Sequence, residues 1–574
     1  MVCRAAKWIL PRRSGWPLAL VSLPFINHKH NYPLHSPLPQ VKATLTHLPP
    51  RLMDGSSRPG VIDSESALLL PSGDLLDPDR LREEPREEAT PRRHLGIWST
   101  AFLITNRMIG TAIFSTPSAI AASVRSAGAA LALWTAGFLL SLCGLMIWLE
   151  LASLLPRSGG EKVYLNAAYP RPPLLATTIY ATHVIGLGFT GIGSIAIAEN
   201  LLLAVHGTAG EWVKRFLAIA LMTTIAVLHI KASTLAVRLM NFLASAKIVV
   251  LVLIIITGLR VVSTDQPRDH RLGASFDHPF AGSSTRIYDY TTALFKILAT
   301  YQGWSNAAYV LDEVQNPRRT LKIASFLGVG SVGILYILVN AAYFSAASPE
   351  ELSKTGVTVV ALLVGKVWGE TAQWCTALVA ALSSFGSLLT ASFSMSRVIQ
   401  ALAREGVLPF ASFFASSTPS ATPKGAFLAL FMGSAVMILL VPFGDAYSFL
   451  LDVGQYAFAI IYLAVVLGLF IIRKRLACPQ RTFRVWTSVA VVFFATQIFL
   501  VLSPFLNREH TSDTSLPFWL MPTVAILALS SSWAYWYGWW VLLPRIRGFV
   551  WKSKETVSSD GTRVVVWIRQ SHGV

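Results

Sequence analysis

Long apolar runs separated by short polar connections fill residues 95–545. About 20 apolar residues cross the hydrocarbon core of a bilayer as a helix, and on that rule about twelve spans are expected. They fall near 96–120, 128–153, 175–205, 215–233, 239–260, 288–312, 323–346, 371–398, 425–443, 446–472, 484–505 and 516–543. Backbone groups find no water in lipid, so runs of this length must be helices. The expected fold is an all-α membrane bundle, flanked by a polar tail over 1–94 and a short tail over 546–574.

Lys and Arg in short loops are retained on the cytoplasmic side, and with the N-terminus inside, about sixteen lie in inner loops against about ten outside. Both termini are therefore expected in the cytoplasm. Residues 1–94 divide at Met53 into a Pro/His-rich basic part and an acidic part with Glu83, Glu84, Glu87 and Glu88. Met53 is expected to be the true start, making 1–52 a gene-model extension. The apolar stretch Trp16–Phe25 carries Pro17 and Pro24 and is too short for a span.

Composition supports a membrane class. The chain is 53% hydrophobic with 14% charged residues, against about 25% charged in soluble domains. The net charge of +18 comes from short clusters rather than a basic stripe, which argues against nucleic-acid binding. Cys3, Cys143, Cys375 and Cys478 are too scattered for a disulfide framework or a metal site. There is no G-x-S-x-G, H-E-x-x-H or P-loop pattern, so an enzyme is not expected.

Two spans are interrupted by polar residues. Asn106–Phe114 breaks the first with Gly110 and Thr111, and Pro117 follows; Thr300–Asn306 breaks the sixth around Gly303. A glycine in one span is often there for close helix packing. A matched pair is different, because spans one and six are equivalent if spans 1–5 and 6–10 form inverted repeats around a midplane site. A half-helix starting near Thr111 would offer free N–H groups to an anion. Half-helices ending near Met108 and Tyr301 would offer carbonyls to a cation. The pair suits the carboxylate and ammonium of an α-amino acid.

Four stretches carry a family resemblance: Asn106–Pro117, Leu155–Lys162, Gly303–Pro317 and Ser396–Pro409. They resemble the amino acid–polyamine–organocation superfamily, nearest its L-type branch and the fungal high-affinity methionine permeases. The resemblance covers roughly residues 95–545 and implies the LeuT-like fold, a 5+5 inverted repeat plus two additional C-terminal helices. It implies that Gly110, Thr111 and Ala112 bind the substrate carboxylate, with Met108 at the same break. Tyr301, Gln302 and Gly303 would then meet the amino group. Ala299 stands where the branch carries a gating aromatic, leaving that role to Tyr301 or Trp304.

Lys247 lies inside span five, where a charge is costly and points to function unless it snorkels to the surface. In proton-coupled relatives a lysine here replaces a sodium ion, so Lys247 is expected to couple transport to protons or to act as a fixed cationic strut. Ser383 and Ser384 on span eight are candidate hydroxyl neighbours. No cofactor or metal is expected, only a proton gradient. Glu150 and the pair Asp312-Glu313 are expected to bond Arg157 or Arg318. Glu199 and Asp452 are further intramembrane acids, and Arg107 and Lys296 further bases.

The expected function is secondary uptake of methionine or another neutral amino acid, at the plasma membrane rather than the vacuole. The alternatives are a non-transporting amino-acid sensor, which would favour longer tails, and a polyamine or choline-like cation permease, which would favour acids at the breaks. Animal L-type exchangers are linked to a heavy chain through an outer-loop cysteine. The loop His206–Lys214 has none, so no disulfide-linked partner is expected; oligomeric state is not legible.

Overall fold

A computed structural model describes residues 93–574 apart from 187–190, 206–209, 264–275, 356–358, 370–372, 418–421, 442–444, 476–482, 507–516, 518, 558–562 and 572–574. The proposed start at Met53, the tail before Arg93 and part of the loop from His206 lie outside the described residues.

The first apolar run forms two helices, α1 (Ile97–Met108) and α2 (Ala112–Val124). Ile109 between them is extended, with φ −79° and ψ 93°. After α3 (Ala127–Leu154) and the short α4 (Glu161–Ala168), the chain continues through α5 (Leu175–Gly186), α6 (Gly191–Ala204), α7 (Glu211–Lys231) and α8 (Ser233–Ser263). The sixth run is α9 (Ile287–Thr300), a turn, and a single turn of helix, α10 (Asn306–Tyr309). Then come α11 (Pro317–Ala346), two short helices, α12 (Pro349–Lys354) and α13 (Val359–Trp368), and α14 (Gln373–Arg404). The remainder is α15 (Ala411–Ala415), α16 (Lys424–Leu440), α17 (Asp445–Arg475), α18 (Thr487–Leu506), α19 (Leu520–Trp536) and, after a π-helical stretch, α20 (Leu543–Arg547).

Among the described residues, seven helices, α3, α7, α8, α11, α14, α17 and α18, are long and apolar enough to cross a membrane. Others, such as α2 and α16, are apolar but shorter. Both breaks expected from the sequence are present. The region between spans seven and eight, read as loop, instead holds α12 and α13, each too short to be seen as a span. α12 starts on a capping box in which Ser348 and Glu351 bond each other's backbone N–H.

α1 is central: it packs on α8, α11 and α14, while α14 also packs on α6 and α8. α2 packs on α9 and α12. The broken first helix is thus walled by protein rather than lipid, the condition under which interrupted backbone is tolerated at membrane depth.

The all-α expectation fails at the C-terminus. Strands β1 (Phe549–Val557) and β2 (Arg563–Ser571) form an antiparallel hairpin, in register from Phe549↔Ser571 to Val557↔Arg563. β2 is rich in β-branched and aromatic residues, Val564, Val565, Val566, Trp567 and Ile568, which favour strand. The hairpin is docked: Val564 packs with Ala403 and Ala415, and Trp567 Nε1 donates to the Glu405 carbonyl at 3.2 Å.

Two expected ion pairs are also corrected. Glu150 bonds Arg473 through both carboxylate oxygens, at 2.9 and 2.5 Å, rather than Arg157 or Arg318. Glu313 accepts from Arg397 at 2.7 Å, and Asp312 accepts from the Ser158 backbone N–H. In each case the nearest basic residue along the chain loses to one brought in by tertiary packing. Glu199 pairs with Lys214 at 3.2 Å.

Glu150 is fully enclosed and also accepts from Val485 N–H at 2.8 Å. Removing one partner of such a pair leaves the other charge buried and costs about 3–5 kcal/mol. Glu150→Ala is therefore expected to lower the thermal unfolding temperature of detergent-purified protein far more than Glu350→Ala, whose ion pair with Lys354 is exposed.

Candidate functional site

Where α1 stops, its last carbonyls have no helical partner. Side chains from three other helices supply the missing donors. The Lys247 ammonium, 5% exposed in the middle of α8, donates to Asn106 O at 2.9 Å and Ile109 O at 2.5 Å. Ser387 on α14 donates to Arg107 O at 3.1 Å. Tyr336 on α11 donates to Met108 O at 2.9 Å, and Ser383 on α14 donates to Gly110 O at 3.2 Å. Every carbonyl from Asn106 to Gly110 is thereby met.

Lys247 does not snorkel. It crosses to α1 and forms no ion pair with a carboxylate among the described residues. The carbonyls expected to meet a cation meet this one. Close approach of α14 makes the contact possible, because a methyl on Gly386 would lie 2.7 Å from Asn106 Oδ1 and 3.1 Å from Lys247 Cε. Asn106 also donates to Thr390 Oγ1 at 2.8 Å. Ser384 bonds within its own helix, to Ala380 O, and does not reach the break.

The other side of the break is the start of α2. Gly110, Thr111 and Ala112 are half-buried, and α2 begins at Ala112; Gly110 N–H bonds Met108 O and Phe114 N–H bonds Thr111 O, while the N–H groups that open the helix have no carbonyl of a preceding turn to bond.

The second break lies against the first. Gly303 has φ +130°, a backbone conformation that side chains disfavour, and a Cβ there would meet Arg107 Cγ at 2.8 Å. Thr300 Oγ1 donates to Thr116 Oγ1 across the two spans at 3.3 Å. Gln302 is half-buried, and its Oε1 accepts from Gln455 Nε2 of α17 at 2.9 Å.

The candidate gating aromatics are core residues. Tyr301 is fully buried against Trp134, Phe138 and Tyr336, and its hydroxyl donates to Trp134 O. Trp304 packs edge-on to Trp148 and Phe493. Only the backbone of Tyr301 and Trp304 is left to face a ligand. Ala299 is half-buried and brings no polar atom.

Sequence reasoning missed Tyr336, Ser387, Thr390 and Gln455. Gln455 had a signal, an amide inside an apolar run; Tyr336 and the α14 residues did not, since hydroxyls within helices are common. Glu161, in a matched motif but without a role, proves to be fully enclosed.

Comparisons with known proteins bear on this geometry. Residues 95–529 match the amino acid permease family model. The high-affinity methionine permease of Saccharomyces cerevisiae is 32% identical over 476 residues, which cover 82% of this chain and 83% of that protein. The low-affinity methionine permease of the same yeast is 27% identical, covering 84% and 89%. The human b(0,+)-type amino acid transporter 1 is 27% identical, covering 74% and 85%.

Gly303→Ala combines a strained φ with a clash on Arg107. Strain of this kind costs about 1–3 kcal/mol, so the variant is expected to unfold at lower temperature than Gly330→Ala, where the added methyl meets open space. Thermal unfolding of the purified pair checks it.

Proposed function

Since the chain belongs to the amino acid permease family, a multi-pass membrane protein that carries amino acids, we propose that it takes up methionine or another neutral amino acid by alternating access, driven by a proton gradient. The observation that carries this reading is the asymmetry of the first break. Its carbonyl side is filled by Lys247, Tyr336, Ser383 and Ser387, while on its N–H side Gly110 turns to Met108 O and Phe114 to Thr111 O, leaving the first N–H groups of α2.

An anion fits that side. The substrate carboxylate sits on the N–H groups of Thr111 and Ala112 and draws that of Gly110 from Met108 O, aided by the positive end of α2. The ammonium is taken by backbone groups of Tyr301, Gln302 and Gly303 at the facing break. The two yeast relatives are named for methionine, and Ala112, Ala299 and Gln302, half-buried at the two breaks, are uncharged.

Lys247 supplies the coupling. Protonated, its ammonium ties Asn106 of α1 and Ile109 just beyond it to α8. Deprotonated, it keeps fewer donors and no charge, and the tie loosens. The spans are read as twelve, arranged as a 5+5 inverted repeat plus two C-terminal helices, with both termini in the cytoplasm. The protein works at the plasma membrane without a disulfide-linked heavy chain.

Uptake of radiolabelled methionine into permease-deficient cells, at acidic and neutral outside pH, tests the reading. Wild-type uptake is expected to rise in acid, and Lys247→Ala to lose at least about tenfold, the rate equivalent of ~1.4 kcal/mol. Binding without accumulation would instead make the protein a sensor.

A further inference from the structure

Glu161 opens α4, four residues beyond the exposed Arg157, yet is 0% exposed. Its Oε1 accepts from Trp148 Nε1 of α3 and from the Tyr309 hydroxyl of α10, each at 3.0 Å, and its Oε2 accepts from the Tyr180 hydroxyl of α5 at 3.1 Å. All three partners are neutral. The adjacent Lys162 turns away, to Ala401 O at 3.0 Å and Glu405 at 2.6 Å. Buried carboxylates are ordinarily paired with a base or neutralised by a proton.

The acid is also wired to the substrate site. Tyr309 Oη lies 3.1 Å from Ser305 Oγ. Tyr462 of α17 packs on the Trp304 ring next to Ser305, and Gln302 is the half-buried amide of the second break. Gly160 holds the junction tight: with φ +54°, it packs where a Cβ would meet the Tyr309 ring at 2.5 Å.

We infer that Glu161 is a proton-binding site coupled to substrate at the second break through Tyr309 and Ser305. The inference rests on the proton-driven reading above. A carboxylate only accepts hydrogen bonds, so Tyr309 must donate to it and accept from Ser305. Protonated at Oε1, the carboxyl donates to Tyr309, whose hydrogen turns to Ser305 in the second break. One O–H bond forms on Glu161 with a proton from water and breaks when that proton returns to water; the other hydroxyls only rotate.

Burial pushes the Glu161 carboxyl above the usual carboxylate range, while its own backbone N–H and the Tyr309, Tyr180 and Trp148 bonds pull it back. The protonated state therefore persists to higher pH than for an exposed glutamate, and is lost as pH rises through the shifted value. The titratable groups facing it are Tyr164 on α4, Tyr180 on α5, Tyr309 on α10 and Tyr462 on α17, with Arg107 of α1 beyond Tyr309 and Tyr462. Glu150 of α3 is engaged by Arg473.

Proteoliposomes containing the full-length protein, with outside pH stepped from neutral to acid at fixed inside pH, test this through initial rates of radiolabelled methionine uptake. Glu161→Gln is expected to lose the acid stimulation, and Glu161→Asp to recover part of it. Tyr309→Phe, which keeps the acid and cuts the relay, is expected to flatten the pH profile and raise KM for methionine. A wild-type pH ratio in Glu161→Gln overturns the inference; if that variant does not fold, an unchanged ratio in Tyr309→Phe overturns it equally. Wild-type uptake that ignores pH would overturn this inference together with the proton-driven part of the proposed function, but not amino-acid transport.

Discussion

A helix interrupted at membrane depth exposes backbone carbonyls that lipid cannot satisfy, and the tie from Lys247 to the end of α1 answers that constraint. Much of the surrounding architecture follows from it. The ammonium bonds Asn106 O and Ile109 O at once, and α8 and α14 must close on α1 for it to do so. Gly386 permits that closure, and Ser383 and Ser387 complete the carbonyl row from α14. An isolated ammonium in a low-dielectric interior is expensive, and the carbonyl dipoles offset part of the cost.

The tie gives the break a polarity. With the carbonyl end of α1 saturated by the protein's own cation, what remains at the break is the N–H end of α2, which favours an anion. The second break is held against it by Gly303, whose missing Cβ leaves space for Arg107 Cγ, and by Thr300 on Thr116. Two interrupted spans thus meet, and on the proposed reading the start of α2 takes the carboxylate of a zwitterion and the second break its ammonium. Glu161 stands apart from this pair but reaches Ser305 of the second break through the Tyr309 hydroxyl.

The sequence was most legible where polarity contradicts the surrounding pattern. Gly110, Thr111, Gly303 and Lys247 each interrupt an apolar run, and each lies at the junction of spans where the chain is broken. Partners were legible only when local. Tyr336 reaches Met108 from 228 positions away, and Arg473 reaches Glu150 across 323; a buried charge announces that it needs a partner, not which one. With Ala299 at the branch's gating position the resemblance leaves that role to Tyr301 or Trp304, yet large rings on α3 and α11 draw their side chains into the core. The C-terminal hairpin went unseen because its strands follow the last span and contain several charged residues. Its β-branched run, Val564–Val566, was the available clue.

The central claim, that two facing breaks read both ends of an α-amino acid, is tested most directly by binding to purified protein. Affinities are compared for methionine, its methyl ester and its desamino analogue. The account predicts that removing either charged end weakens binding at least about a hundredfold, or ~2.7 kcal/mol. Equal affinity for all three would contradict it.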